Sequence, residues 1–262
     1  MPESFSVSID TLDSTFLASV DSYWAQFLGC PQAMLRKEKT QLLPHAELRD
    51  YAGCYTIEFG AAPIVSLPAN EVESYRDLIA RWQPGVVRTP AVAQAAFHER
   101  IASIIGPAFI GYTDTMLFKQ PACGDARLLT NADGKAAEKL RSCCPAEEWD
   151  HGGSTFRPSE MVGVMRGQQL VAVASYEVWG EHIAHISIIS HPAFRGRGYA
   201  TIAVGELTRI VLERKLVPQY RTLEANQPSM AIARRLGFVQ YATSMAIQFR
   251  PSSAKTSLSR TA

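Results

Sequence analysis

Residues 190–201 read SHPAFRGRGYAT, and the fold is decided by what stands on either side of them. Before them, Ile183 to Ile189 is a strand-like run, apolar except at His185 and Ser187. After them, Gly198 to Leu216 carries apolar residues at helical spacing, with Tyr199, Ala203, Leu207, Ile210 and Val211 on one face and Glu206, Arg209 and Glu213 on the other. Gly196 and Gly198 lack Cβ, so the backbone can turn tightly between strand and helix and approach a ligand closely. The helix start presents unpaired N–H groups and the positive end of its dipole to that turn. Such a loop suits a pyrophosphate. The expected donors are the N–H groups of Arg197, Gly198, Tyr199 and Ala200, with the Arg195 and Arg197 side chains adding charge.

The glycines alone leave several phosphate ligands open. The dinucleotide fingerprint needs a third glycine where Thr201 stands, and the Walker loop needs Gly-Lys followed by Ser or Thr, which is absent here. The pattern Arg/Gln-x-x-Gly-x-Gly/Ala does fit, as Arg195, Gly198 and Ala200. This resembles the acetyl-CoA loop of the GNAT superfamily of N-acetyltransferases. A second block, Asn226-Gln-Pro-Ser followed by Arg235-Leu-Gly-Phe238, looks like the family's last core helix and the turn after it. The resemblance covers roughly residues 125–250. It implies an α/β fold, an α+β mixed sheet splayed open between its fourth and fifth strands. It also implies acetyl-CoA as cosubstrate, with no metal. Carried over residue by residue, the cofactor would be held by Ile188, Ile189 and Ser190 on the strand, by Arg195, Gly196, Arg197, Gly198, Tyr199, Ala200 and Thr201 in the loop, and by Asn226 and Ser229 further on. Asn226 and Ser229 could equally serve only to cap a helix.

Composition agrees with an ordinary soluble globular protein. The chain has 262 residues, a net charge of +1 and 47% hydrophobic residues. That balance offers no electrostatic footprint for nucleic acid or an anionic membrane. No apolar run reaches the roughly 18–20 residues of a bilayer span. The first residues, MPESFSVSIDTLDS, have neither a basic region nor an apolar signal core, so a cytoplasmic location is expected. The five cysteines, Cys30, Cys54, Cys123, Cys143 and Cys144, follow no disulfide or zinc spacing and are expected as reduced thiols. The expected state is a monomer or homodimer.

The expected organisation is an N-terminal α/β domain over 1–124, a GNAT domain over 125–250 and a disordered polar tail over 251–262. In the first part, helices are expected at 12–28, at 70–82 with Asn70 as N-cap, and at 90–105 closed by Gly106-Pro107. Strands are expected at 54–59, 63–67 and within 108–118. Two readings of this half stay open: a degenerate GNAT-like repeat that lost its phosphate loop, or a cap over the acceptor cleft. From residue 126 the order expected is strand, helix, short helix, a hairpin turning at Arg166-Gly167-Gln168, the strand before the glycine loop, then helix, strand, helix, strand.

The reaction implied by the resemblance is direct attack of a primary amine on the acetyl thioester. The developing oxyanion needs a donor, and an amine of pKa about 10 must shed a proton. Relatives often carry a Tyr as acid to the leaving thiolate; Ala233 occupies that position. Where relatives carry a strand carboxylate or His, this chain has Ala184 and Ile186. His182 shares their face by the period of two and is the first candidate base; Glu181 is next to it, and His151 lies in the Trp149–Gly153 segment. His185 points to the opposite face. The reading is an acetyl-CoA-dependent N-acetyltransferase acting on a small-molecule amine. The alternatives are acetylation of a protein lysine or N-terminus, and an acyl-CoA-binding module without turnover.

Overall fold

The computed structural model describes residues 9–122, 124 and 126–251, and of His151 the backbone alone. The tail expected over 251–262 lies, beyond residue 251, outside the described residues. The helices are α1 (Ser14–Leu28), α2 (Val72–Ile79), α3 (Pro90–Phe97), α4 (Gly134–Cys143), α5 (Ala146–Gly152), α6 (Tyr199–Glu213) and α7 (Gln227–Arg235). The strands are β1 (Gln41–Pro44), β2 (Gly53–Glu58), β3 (Ile64–Leu67), β4 (Ile101–Tyr112), β5 (Ala126–Leu128), β6 (Met161–Arg166), β7 (Gln169–Trp179), β8 (Ile183–Ser190), β9 (Val217–Leu223) and β10 (Val239–Phe249).

The chain divides into two units that do not follow the expected boundary at residue 124. One comprises residues 1–25 and 108–243, the other 26–107 and 244–262. The reason lies in strand pairing. Residues 108–112 of β4 pair antiparallel with β9, from Ala108↔Leu223 to Tyr112↔Gln219, so they belong with the C-terminal elements.

In the first unit the strand order is β10-β4-β9-β8-β7-β6-β5. Alternation along β7 and β8 sorts their side chains onto two faces. Ala172, Ala174, Tyr176, Ala184 and Ile186 join Ala203, Val204, Leu207 and Val211 of α6 and Met230 and Ala233 of α7 in one core. Val173 and Ile189 face the other way and pack with Ala137 and Leu140 of α4, with Trp149 of α5 against them. The hairpin turn falls at Gly167-Gln168 as expected. On the outer side of α6, Arg209 bridges Glu206 and Glu213, also as expected. Thr130 and Asp133 close a capping box before α4, and Arg127 forks onto Asp133, holding that carboxyl below its usual range. α1 contributes Trp24, whose Nε1 donates to Tyr112 Oη at 2.8 Å.

In the second unit β1 runs parallel to β3, and β3 antiparallel to β2. Its core joins Val65, Leu67, Ile79, Trp82, Phe97 and Ile247. Arg100 forks onto Glu71 at 2.6 and 2.7 Å and lies over the Phe249 ring at 4.3 Å. Two expectations fail here. Asn70 does not cap α2; the N-cap is Glu71, with no side-chain bond. The helix expected to run to residue 105 stops at Phe97, and Ile101 opens a long strand. His98 takes φ 43°, which ends the helix, and the Ile-rich run that follows prefers a pleated, half-buried surface. Gly106-Pro107 sits inside that strand rather than closing a helix.

Candidate active site

Strand β8 pairs with β7 along its whole length, from Ile183↔Trp179 to Ser190↔Ala172. With β9 it pairs in parallel only from Ile183↔Val217 to Ile186↔Tyr220. Both strands continue beyond that register, to Ser190 and Leu223. The sheet therefore opens between Ser187–Ser190 and Arg221–Leu223, as the family resemblance implies. Two bonds fix which backbone groups face the opening. Val217 N–H donates to His182 O, and His191 N–H donates to Val171 O. Even-numbered residues of β8 thus turn their N–H and C=O toward β9, and odd-numbered ones toward β7. Of the strand residues expected to hold the cofactor arm, Ile188 and Ser190 offer backbone groups to the opening, while those of Ile189 are spent on β7. Ser190 O meets the Arg195 guanidinium at 3.4 Å and the Cys144 thiol at 4.0 Å. A Cβ at Gly152 would stand 2.7 Å from Ile188 O, so the end of α5 adjoins the same strand.

The loop forms as expected. Gly196 and Gly198 take φ 75° and 82°, and a Cβ on either would meet nothing within 4 Å, so the loop lies open. Gly198 is the N-cap of α6 and supplies no side chain to the cap. Its carbonyl accepts Ile202 N–H at 3.1 Å, so the N–H groups of Tyr199, Ala200 and Thr201 precede the first intrahelical bond. Tyr199 and Ala200 are common to this set and to the expected donors Arg197–Ala200. Arg195 pairs through its fork with Glu148 of α5. Arg197 lies over the Phe194 ring at 5.3 Å, and Tyr199 is held by Arg166, Nε to Oη, at 3.0 Å.

Asn226 caps α7: its Oδ1 accepts Ser229 N–H at 3.3 Å. Ser229 Oγ meets Tyr220 Oη at 2.8 Å, and burial pushes that phenol up to about 12. Tyr220 is the last β9 residue paired to β8, on the helix-covered face. Ser229 lies one turn before Ala233, the position of the missing tyrosine.

The structure does not bring His182 or Glu181 to the opening. Both lie in the turn between β7 and β8, at the closed end of the strand pair. Six residues of strand separate His182 from Ile188, about 20 Å. His182 Nε2 is buried with no hydrogen-bond partner among the described residues. Of His151, only its place in α5 is described.

The sequence reading put His185 on the opposite face and behind His182, yet it stands one residue from the point where the register ends. It belongs to a polar row across four strands, Glu177↔His185↔Gln219↔Tyr112. His185 Nδ1 meets Gln219 Oε1 at 3.0 Å, and Gln219 Nε2 donates to Tyr112 Oη at 2.5 Å. The Trp179 indole stacks on the imidazole, centroids 3.8 Å apart and 11° from parallel. Burial drives the His185 pKa down to about 4, Gln219 opposes that, and the Arg221 charge adds to it. A polar residue at matching positions of adjacent central strands was the signal available in the sequence; pairing His185 with Gln219 needed the register.

Residues 156–244 match the model of the GNAT acetyltransferase family. Among solved structures, an acetyltransferase of the GNAT family from Colwellia psychrerythraea is 12% identical, with 92% of this chain and 98% of that one covered and a TM-score of 0.52. A GCN5-related N-acetyltransferase from Kribbella flavida is 15% identical over 88% of this chain and 95% of that one, TM-score 0.48. A GNAT-family acetyltransferase from Novosphingobium aromaticivorans is 19% identical, covering 56% of this chain and 66% of that one, TM-score 0.43. No curated protein sequence matches the chain. Residues 156–244 thus match the GNAT acetyltransferase family, and the fold is the GNAT fold. Among the described residues no cluster of His, Cys, Asp or Glu could hold a metal, and no helix is long and apolar enough to cross a membrane.

Proposed function

We propose that the chain is an acetyl-CoA-dependent N-acetyltransferase that acetylates the primary amine of a small molecule by direct attack. The observation that supports this most is the sequence of features along β8: the register with β9 stops at Ile186↔Tyr220, and the open glycine loop and the bare start of α6 follow at once. The diphosphate would sit on the N–H groups of Tyr199, Ala200 and Thr201, with Arg195 and Arg197 nearby. The pantetheine arm would pair with Ile188 and Ser190 as an added strand. That arm carries the thioester to the closed end of the opening, beside His185 and Tyr220. The Glu148 carboxylate now held by Arg195 is the group a diphosphate would displace. The near-neutral charge fits a small acceptor better than a polyanion.

The test is heat protection by CoA followed by thiol release from acetyl-CoA with a panel of small amines. Protection at 100 times the dissociation constant should add about 2.7 kcal/mol to stability. Amine-dependent release of free thiol supports the assignment. Protection without acceptor-dependent thiol would favour a CoA-binding module, and absence of both would remove the assignment.

A further inference from the structure

We propose that His185, held in one tautomer by Gln219, is the proton acceptor for the amine and then the proton donor to the leaving sulfur. This rests on the acetyltransferase reading and assigns a residue to its proton transfers.

Gln219 is fully buried and its Nε2 donates to Tyr112 Oη, which also accepts from Trp24 Nε1. Its Oε1 is then left to accept, and the group it faces is His185 Nδ1. The proton of the neutral ring sits on Nδ1, and Nε2 keeps its lone pair. Nε2 takes no hydrogen bond among the described residues, and His185 is only partly buried. Stacking on Trp179 fixes the ring plane. The base is therefore oriented by its neighbours, at the residue next to the end of the β8–β9 register.

The charged groups around it set its state. Glu177 lies across β7 and is bound by Arg157 at 3.1 Å; Arg221 is two residues along β9 from Gln219. From α5, Glu148 is taken by Arg195, and Glu147 and Asp150 complete that helix's charges. From α1, Asp21 accepts from Tyr241 Oη. Glu177 is the carboxylate directly across from the imidazole and is taken up by Arg157, and burial keeps the ring neutral. A base this weak cannot strip an alkylammonium of pKa about 10. It suits an amine that arrives as the free base and becomes acidic only once its nitrogen is bonded to the acyl carbon.

The amine lone pair forms the C–N bond to the thioester carbonyl carbon. One N–H proton passes to His185 Nε2. The C–S bond breaks and its electron pair leaves on sulfur as thiolate. The imidazolium returns the proton to the thiolate, releasing thiol and restoring the neutral ring. One residue thus covers both transfers, and the alanine at 233 leaves no role unfilled.

The experiment uses the full chain, acetyl-CoA and amines spanning a range of pKa. For the unaltered protein, the pH midpoint of kcat/KM should follow each amine's own pKa. A fixed midpoint between pH 6 and 8 shared by all amines would overturn the proposal. His185→Gln should lower kcat about 100-fold while amine KM and heat protection by CoA stay within about twofold. Gln219→Leu keeps the imidazole but frees its tautomer, and should lower kcat about tenfold. Unchanged kcat in His185→Gln, or in Gln219→Leu should the first fail to fold, sinks the proposal and leaves the acetyltransferase reading standing. CoA protection of the unaltered protein with no thiol release from any amine overturns both.

Discussion

At the scale of the residue, His185 links the site to stability. Its pKa is about 4 in the folded chain, below the ordinary histidine value of about 6.5. Between those values the unfolded chain binds a proton that the folded one refuses. Stability from this group is therefore fully present above pH about 6.5 and drains away as pH falls toward 4. The shift is worth roughly 3 kcal/mol at full expression. Thermal melting in a pH series should show a loss over that window, smaller in His185→Gln, which has nothing to titrate. Equal losses in both proteins would assign the drop to other groups. The same residue shows where sequence reading stopped. The period of two put His185 on the opposite face from Ala184 and Ile186, which was right. It could not say that the opposite face holds a buried glutamine, because His185 and Gln219 are joined by a register between strands 34 residues apart.

At the scale of the element, the glycine loop and α6 were legible because local chemistry dictates them. A loop that must take positive φ and a helix that must bury one stripe leave marks within a dozen residues. The segment 98–112 was not legible, because Gly-Pro reads as a stop, while β4 is held by partners far along the chain. Two glycines at helix ends give a comparison that separates ligand contact from packing. Gly198 and Gly237 share φ 82°. A Cβ at 198 meets nothing within 4 Å, whereas one at 237 would stand 2.0 Å from the Leu117 carbonyl. Gly198→Ala should cost only about 1 kcal/mol of backbone strain but weaken CoA binding at least tenfold, since the added methyl would occupy open space at the loop proposed to hold the diphosphate. Gly237→Ala should cost more than about 3 kcal/mol, with CoA affinity of the surviving folded fraction unchanged. Denaturant titration and CoA titration of the two variants check this; equal stability losses would refute it.

At the scale of the molecule, the family resemblance begins near residue 125, but the unit it belongs to does not. Residues 108–112 and the first part of α1 are part of that unit. A fragment of residues 125–250 would lack them. β9 would lose its β4 partner, leaving five residues of backbone, Gln219–Leu223, without their ladder. Gln219 Nε2 would lose Tyr112 Oη, and a buried amide without a partner costs about 1–3 kcal/mol. Phe109, fully buried in the core with α6, would leave a void of the kind that costs about 3–5 kcal/mol. Together these rival the whole stability of an ordinary domain, about 5–15 kcal/mol. The fragment should therefore fail to melt cooperatively and show no protection by CoA, although it contains the entire loop and both sequence blocks. A cooperative, CoA-responsive fragment would mean that β4 and α1 are additions to a self-sufficient core. The sequence placed the boundary at Pro121–Gly124 because composition changes there, whereas cohesion follows pairing, and β4 pairs with a strand more than a hundred residues later.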